Sequence, residues 1–428
     1  MRLLAVVSYG IVLLSTLLFY RPKRPPASVW LWPLRLLAQA LAPVSGLTGT
    51  VAALIGLIRR NGALLTAGFV GAALNAHYIQ RVSSHHDAFA RAFGPDWEQR
   101  IPLALRPRLW PRRWTPLLPP PPAVHLPDIR YGVSTDGTPL LADLWLPPSN
   151  VTHSGLGIVY IHGGAWRRGD KDAGTRPFFR RLAGQGHVIL DIAYSLGPKV
   201  PLTQMVGDVK RAILWLKAHA ADYDIRPDRI VLIGGSAGGH LALLAAYTPN
   251  HPELPPGPEA GDTSVRAVVA FYPPTDLLAI YRESQALIED FLGAQNEATR
   301  LQAWAALATF RALGFVPRAR AGSEEMNYIA RLLGGRPEAV PHLYRLLSPI
   351  AHLGPHCPPT LLLQGSDDFF GFAPTVRRFY EALLAAGVVA VLIEYPHADH
   401  AFDLVLPRLS PVAQAAVYDV ERFLALMV

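Results

Sequence analysis

Residues 230–240 read IVLIGGSAGGH: an apolar, β-branched run halts at glycines on both sides of one serine, and the helix-forming stretch LALLAAY follows. A serine presented on a sharp strand-to-helix turn needs small residues two positions before and after it, because the backbone passes close on either side. Gly234 and Gly238 occupy those positions and make Ser236 a candidate nucleophile. A serine hydroxyl attacks poorly unless an imidazole takes its proton and a carboxylate holds that imidazole in the right tautomer. In the chain order serine, acid, histidine, the acid belongs on the loop after a late strand and the histidine on the loop after the last one. LLLQGSDDFF (361–370) and IEYPHADHAF (393–402) stand where such loops are needed.

Within the first segment Asp368 is the candidate acid, four residues past Gln364, with Asp367 the neighbour able to replace it. Whichever carboxylate is not used that way caps a turn or a helix. Within the second, His400 precedes the closing helix and is preferred as the base over His397, which follows Pro396 and reads as ending the strand. One histidine among fifteen carries little meaning alone; its pairing with Ser236 and Asp368 singles out His400. A fourth piece is YIHGGAWRRGDK (160–171), where Gly163 and Gly164 let the chain turn its amides toward a developing oxyanion. The N–H groups of Gly164, Ala165 and Ala237 are the expected donors. His162 reads as a loop-shaping hydrogen-bonder, and Trp166 either packs under the loop or walls a pocket.

These loops need strands to hold them. After Asp128, short apolar runs alternate with helical stretches, which builds a mostly parallel sheet covered on both faces. The expected strands are 129–134, 140–146, 157–161, 188–192, 230–234, 267–271, 360–364 and 389–395, the first two forming a hairpin about Thr135-Asp136-Gly137. Between them lie amphipathic helices such as 206–219, in which Val206, Val209, Ile213 and Leu216 follow helical spacing. The stretch 277–347 lacks strand signals and is expected to form a helical lid over the strand ends. The fold class is α/β, an eight-stranded, mostly parallel sheet with helices on both faces.

The net charge of +8 is unevenly spread: residues 1–127 hold 14 Lys/Arg against 3 Asp/Glu, leaving 26 against 29 for the remainder. Basicity confined to the most apolar quarter argues for membrane spans with basic flanks and against a nucleic-acid partner. Leu3–Phe19, Val44–Ile58 and Gly62–Ile79 are the expected spans of an anchor over residues 1–80, the last two forming a hairpin around Arg59-Arg60-Asn61. Their Gly, Ala, Ser and Thr content suits close helix contact in lipid. Trp30–Leu41, with Arg35 amid Trp and Leu, extends the second span or lies in the interface. With three spans, the basic excess orients the remaining domain toward the cytoplasm. Residues 81–127 read as a basic, proline-rich, extended linker in which Trp110 and Trp114 suit the headgroup level, leaving 128–428 as the catalytic domain. The single cysteine, Cys357, excludes an internal disulfide. No metal-ligand cluster or nucleotide-binding glycine loop is evident, so no cofactor and no metal are expected.

HGGAW (162–166), GGSAGG (234–239), QGSDD (364–368) and DHAF (399–402) together resemble the α/β-hydrolases of the hormone-sensitive-lipase and BD-FAE (bacterial feruloyl-esterase-like) type, including isoprenylcysteine-methylesterase-like proteins. The resemblance spans about residues 128–428, and residues 332–353 resemble the segment preceding the acid strand in that group. It implies carboxylester hydrolysis through Ser236, His400 and Asp368, with Gly164, Ala165 and Ala237 in the oxyanion hole. Three features depart from the pattern: Gln364 where His is common, FFGFAP after Asp368, and a long lid. The anchor has no counterpart in the soluble members. The expected substrate is a small-molecule or lipid-derived ester; an acyltransferase or peptidase with the same triad, and a silent membrane scaffold, are the rival readings.

Overall fold

Continuous apolar runs, rather than alternation, mark strands covered on both faces, and GIVYI, VILDI and AVVAF are buried along their whole lengths. They belong to one eight-stranded sheet: β1 (Val124–Val133), β2 (Pro139–Leu146), β3 (Gly157–Ile161), β4 (Val188–Ile192), β5 (Ile230–Gly235), β6 (Ala267–Phe271), β7 (Thr360–Gly365) and β8 (Ala390–Tyr395). The spatial order is β1-β2-β4-β3-β5-β6-β7-β8. β2 runs antiparallel to both neighbours, and every pairing from β4 to β8 is parallel. The computed structural model describes residues 2–20, 27–116, 119, 121–257, 260–292, 308 and 327–428.

β1 begins five residues before the expected start, inside the proline-rich segment. Pro127 is tolerated because β1 is an edge strand, where a missing N–H costs no ladder bond. The register shifts between Leu126 and Ile129, and Asp128 takes φ 57° there, its N–H donating to Asp143 Oδ1 at 3.1 Å.

Ahead of the sheet stand α1 (Arg2–Leu17), α2 (Ala27–Ala40), α3 (Ala42–Ile58), α4 (Gly62–Ser83) and the short α5 (Ala88–Phe93). α3 and α4 form the expected hairpin, with Asn61 Oδ1 capping α4 at the N–H of Leu64. Their backbones touch: a Cβ on Gly68 would stand 2.4 Å from Ala53 N. α2 does not extend α3, since the two axes bend by 70° at Leu41. Among the described residues, Gly62–Phe93 holds the one helix long and apolar enough to cross a bilayer; the bent pair passes the same test only when joined. α1 has 16 residues. Leu47, Val51, Leu54 and Ile58 leave an exposed apolar stripe along α3.

The linker is not a free extended connector: Trp110 and Trp114 make hydrogen bonds to the folded domain. Two 3-10 turns (Trp97–Arg100 and Arg106–Arg108) follow α5, and the chain then lies along the last helix. Proline removes some donors, but the remaining amides still need acceptors. Trp110 N–H donates to Glu421 (2.9 Å), Thr115 N–H to Gln414 (2.9 Å) and Trp114 Nε1 to the carbonyl of Leu409 (3.2 Å). Arg113 forks onto the buried carboxylate of Asp419 at 2.5 and 2.8 Å.

Helices α6 (Arg176–Ala183), α7 (Leu202–Ala218), α8 (Ala237–Tyr247), α9 (Leu277–Leu292), α10 (Tyr328–Leu333), α11 (Pro341–Leu346), α12 (Phe372–Ala385) and α13 (Pro411–Met427) complete the fold. α7, α8 and α12 pack on one face of the sheet, and α6, α13 and the N-terminal helices on the other. α9 to α11 are the described parts of the expected lid; residues 293–307 and 309–326 lie outside the described residues.

Candidate active site

The turn from β5 into α8 puts Ser236 at φ 55°, ψ −121°, the strained backbone expected of a serine thrust out of a strand end. Its flanking glycines are required by close approach: a Cβ on Gly238 would lie 2.0 Å from Ile161 O, and one on Gly234 would lie 2.4 Å from Gly238 C. The loops after β7 and β8 meet this turn. His400 Nε2 lies 3.0 Å from Ser236 Oγ, and His400 Nδ1 lies 2.9 Å from Asp368 Oδ2. An ionised carboxylate only accepts, so the Nδ1 proton faces Asp368 and Nε2 is left to accept from the serine hydroxyl.

Asp368 is held by more than the histidine. Gln364 Nε2 donates to its Oδ2 at 3.0 Å, and Phe370 N–H donates to Oδ1 at 2.9 Å. The glutamine that departs from the family pattern thus orients the acid. The Phe-rich departure walls the imidazole, with ring centroids of Phe370, Phe372 and Phe369 at 4.7, 5.7 and 6.2 Å from His400. Tyr272 closes another side at 4.4 Å. Asp367 and His397 are brought elsewhere: Asp367 pairs with Arg35, and the ring of His397 packs edge-on against Phe19 at 4.9 Å.

On the facing loop Gly164 takes φ 121°, where a Cβ would lie 1.9 Å from Arg168 O. Among the described residues, the N–H groups of Gly164, Ala165 and Ala237 donate to no protein acceptor, which leaves them available to a ligand oxygen. His162 is buried, stacks on Tyr194 at 4.4 Å and holds Gly163 O at 2.7 Å through Nδ1; burial pushes its pKa down, so it stays neutral. Trp166 packs under the loop, its Nε1 donating to His240 Nδ1 at 3.3 Å. Burial pushes His240 down to about 4, and its other nitrogen faces the carbonyl of Leu347 at 2.8 Å. From the lid, the Tyr328 hydroxyl donates to Ala165 O.

Three residues at this site escaped the sequence reading. Trp32 Nε1 donates to His400 O at 2.9 Å, Gln39 Nε2 donates to His397 O at 2.8 Å, and Arg35 bridges Asp367 and Asp399. The one available signal was a lone arginine in the otherwise uncharged run 30–40.

A mostly parallel sheet of this order, with a serine on such an elbow, defines an α/β-hydrolase. The BD-FAE family model matches residues 142–311. The chain is 31% identical over 344 residues to esterase LipQ of Mycobacterium tuberculosis, covering 78% of this chain and 72% of that protein. It is 31% identical to the probable carboxylic ester hydrolase LipM of the same organism, over 70% of this chain and 61% of LipM. A solved propionate-bound esterase from Thermogutta terrifontis is 25% identical, with 71% of this chain and 92% of that chain covered and a TM-score of 0.49. The chain belongs to the α/β-hydrolase esterase family and is a carboxylesterase/lipase-like hydrolase.

Proposed function

We propose that the chain is a membrane-anchored serine carboxylester hydrolase in which Ser236 is the nucleophile, His400 the general base and acid, and Asp368 the residue that orients His400. The observation that carries this reading is the continuous hydrogen-bond line from Ser236 Oγ through both His400 nitrogens to Asp368. The hydroxyl proton passes to Nε2 as Oγ attacks the ester carbonyl, and the tetrahedral oxyanion is received by the amides of Gly164, Ala165 and Ala237. Collapse expels the alcohol, protonated by His400, and leaves an acyl-serine. Water activated by the same imidazole then releases the acid. No step needs a metal or cofactor.

The anchor reading is supported by the apolar helix within Gly62–Phe93, the outward apolar stripe of α3, and the basic excess of residues 1–127, which favours a cytoplasmic catalytic domain. A tether of this kind suits lipid-derived or other hydrophobic esters. The test is fluorophosphonate labelling together with turnover of p-nitrophenyl butyrate by detergent-solubilised full-length protein. Labelling and turnover are both expected, and both should vanish in Ser236→Ala. Turnover that survives this substitution would reject the assignment.

A further inference from the structure

Arg35 sits in the segment WLWPLRLLAQA (30–40), with no other charge beside it. Its side chain is 2% exposed and lies between two carboxylates: Nη2 is 3.1 Å from Asp367 Oδ2 and Nη1 is 2.9 Å from Asp399 Oδ2. Asp367 immediately precedes the acid, and Asp399 immediately precedes the base. Asp399 itself reaches across, its Oδ1 accepting from Phe369 N–H at 2.9 Å on the acid loop and from His400 N–H at 2.8 Å on its own. Burial pushes the Asp399 carboxyl up to about 6 even with the guanidinium beside it. Without Arg35, two buried carboxylates would lose their cation at the junction of the two catalytic loops.

The same helix face makes further contacts. Trp32, Arg35 and Gln39 recur at helical spacing, with the Trp32 ring 4.8 Å from Phe369 and Gln39 on His397 O. A salt link that only fastened α2 to the domain would need neither carboxylate to adjoin a catalytic residue; here both do.

We propose that Arg35 is a positioning residue for ester hydrolysis: from outside the hydrolase sheet, its two-pronged guanidinium ties the acid loop to the base loop and fixes the contact between Asp368 and His400. The proposal rests on the triad reading given above. Because catalytic geometry tolerates displacements of only a fraction of an ångström, the effect falls on the chemical step and not on substrate binding.

The test uses full-length protein in detergent, with kcat and KM for p-nitrophenyl butyrate measured per folded molecule, the folded fraction being read by near-UV circular dichroism. Arg35→Met is expected to lower kcat about 10- to 100-fold while KM stays within about twofold. Arg35→Lys keeps the charge but not the fork, and is expected to recover part of the lost kcat while remaining at least about threefold below the parent. A kcat for Arg35→Met within about twofold of the parent, whatever its melting temperature, would show a purely structural pair and overturn the proposal. Should Arg35→Met fail to fold, Arg35→Lys decides: full kcat overturns the proposal, and reduced kcat with unchanged KM supports it. Ser236→Ala is assayed alongside. If it retains turnover, the triad reading falls and the proposal with it; if it is inactive while the Arg35 variants keep full kcat, only the positioning role is lost.

Discussion

The hydrolase sheet and the helical layer in front of it treat burial in opposite ways. Along β3, β4 and β6 every residue is inside, and the charges near the catalytic loops are paired. On α3, by contrast, Leu47, Val51, Leu54 and Ile58 face outward, while Arg35 on the neighbouring helix points into the protein. The sheet buries its apolar strands on both faces, while the helical layer turns an apolar stripe away from the protein and Arg35 toward the chemistry. Proximity in sequence to the motifs is therefore a poor guide to which residues serve the site.

Substitutions can break or sharpen this contrast, and the largest effect is expected wholly within the sheet region. Ser236→Ala should lower kcat by about 10⁶, measured with p-nitrophenyl butyrate, and a loss below a hundredfold would place the nucleophile elsewhere. Next comes the pair of adjacent carboxylates. Asp368→Asn should cost about 10⁴ in kcat, whereas Asp367→Asn, whose partners include Arg35, Ser366 and His397, should cost less than about tenfold. Equal losses would erase the distinction between acid and counter-ion. In the helical layer, replacing Leu47, Leu54 and Ile58 together by Glu should move the protein from the membrane pellet to the supernatant on fractionation, because each charge opposes insertion by up to about 3 kcal/mol, most at mid-helix. An unchanged distribution would remove the role assigned to that stripe.

The smallest effect concerns pH. Burial holds His187 down to about 3 and His240 down to about 4, so both are neutral in the fold, while an unfolded histidine titrates near about 6.5. The stability they contribute is complete above that value and is lost progressively as pH falls through it toward 4 and then 3, since the unfolded chain binds the extra protons. His187→Gln should flatten the acid side of the melting curve, narrowing the drop between pH 7 and pH 4 by about 2 °C. Parallel curves for the variant and the parent would show that burial at His187 does not set the slope.

Most of the sheet is legible in the sequence because buried parallel strands announce themselves as unbroken apolar runs, and β3 to β8 stand where those runs are. The serine turn was equally readable, since close backbone approach admits only small residues at 234 and 238. Two adjacent aspartates could be ranked by loop position but separated only in three dimensions, where Asp368 faces the imidazole and Asp367 faces Arg35. β1 was read short because Pro127 signals a break unless the strand is known to be an edge. The Arg35 contact was invisible for a simpler reason: its partner Asp367 lies 332 positions along the chain, and no local pattern encodes such a distance.

The segment running past Trp110 to Thr115 bears on where the hydrolase can be cut. Severing the chain just before β1 would strip Asp419 of Arg113 and remove the amides that cap Glu421 and Gln414. Two carboxyls of the final helix, both buried in the intact protein, would then have lost the partners that hold them. The unit able to stand alone therefore starts well upstream of its first strand, and an excised core would carry the wound on the side opposite its lid.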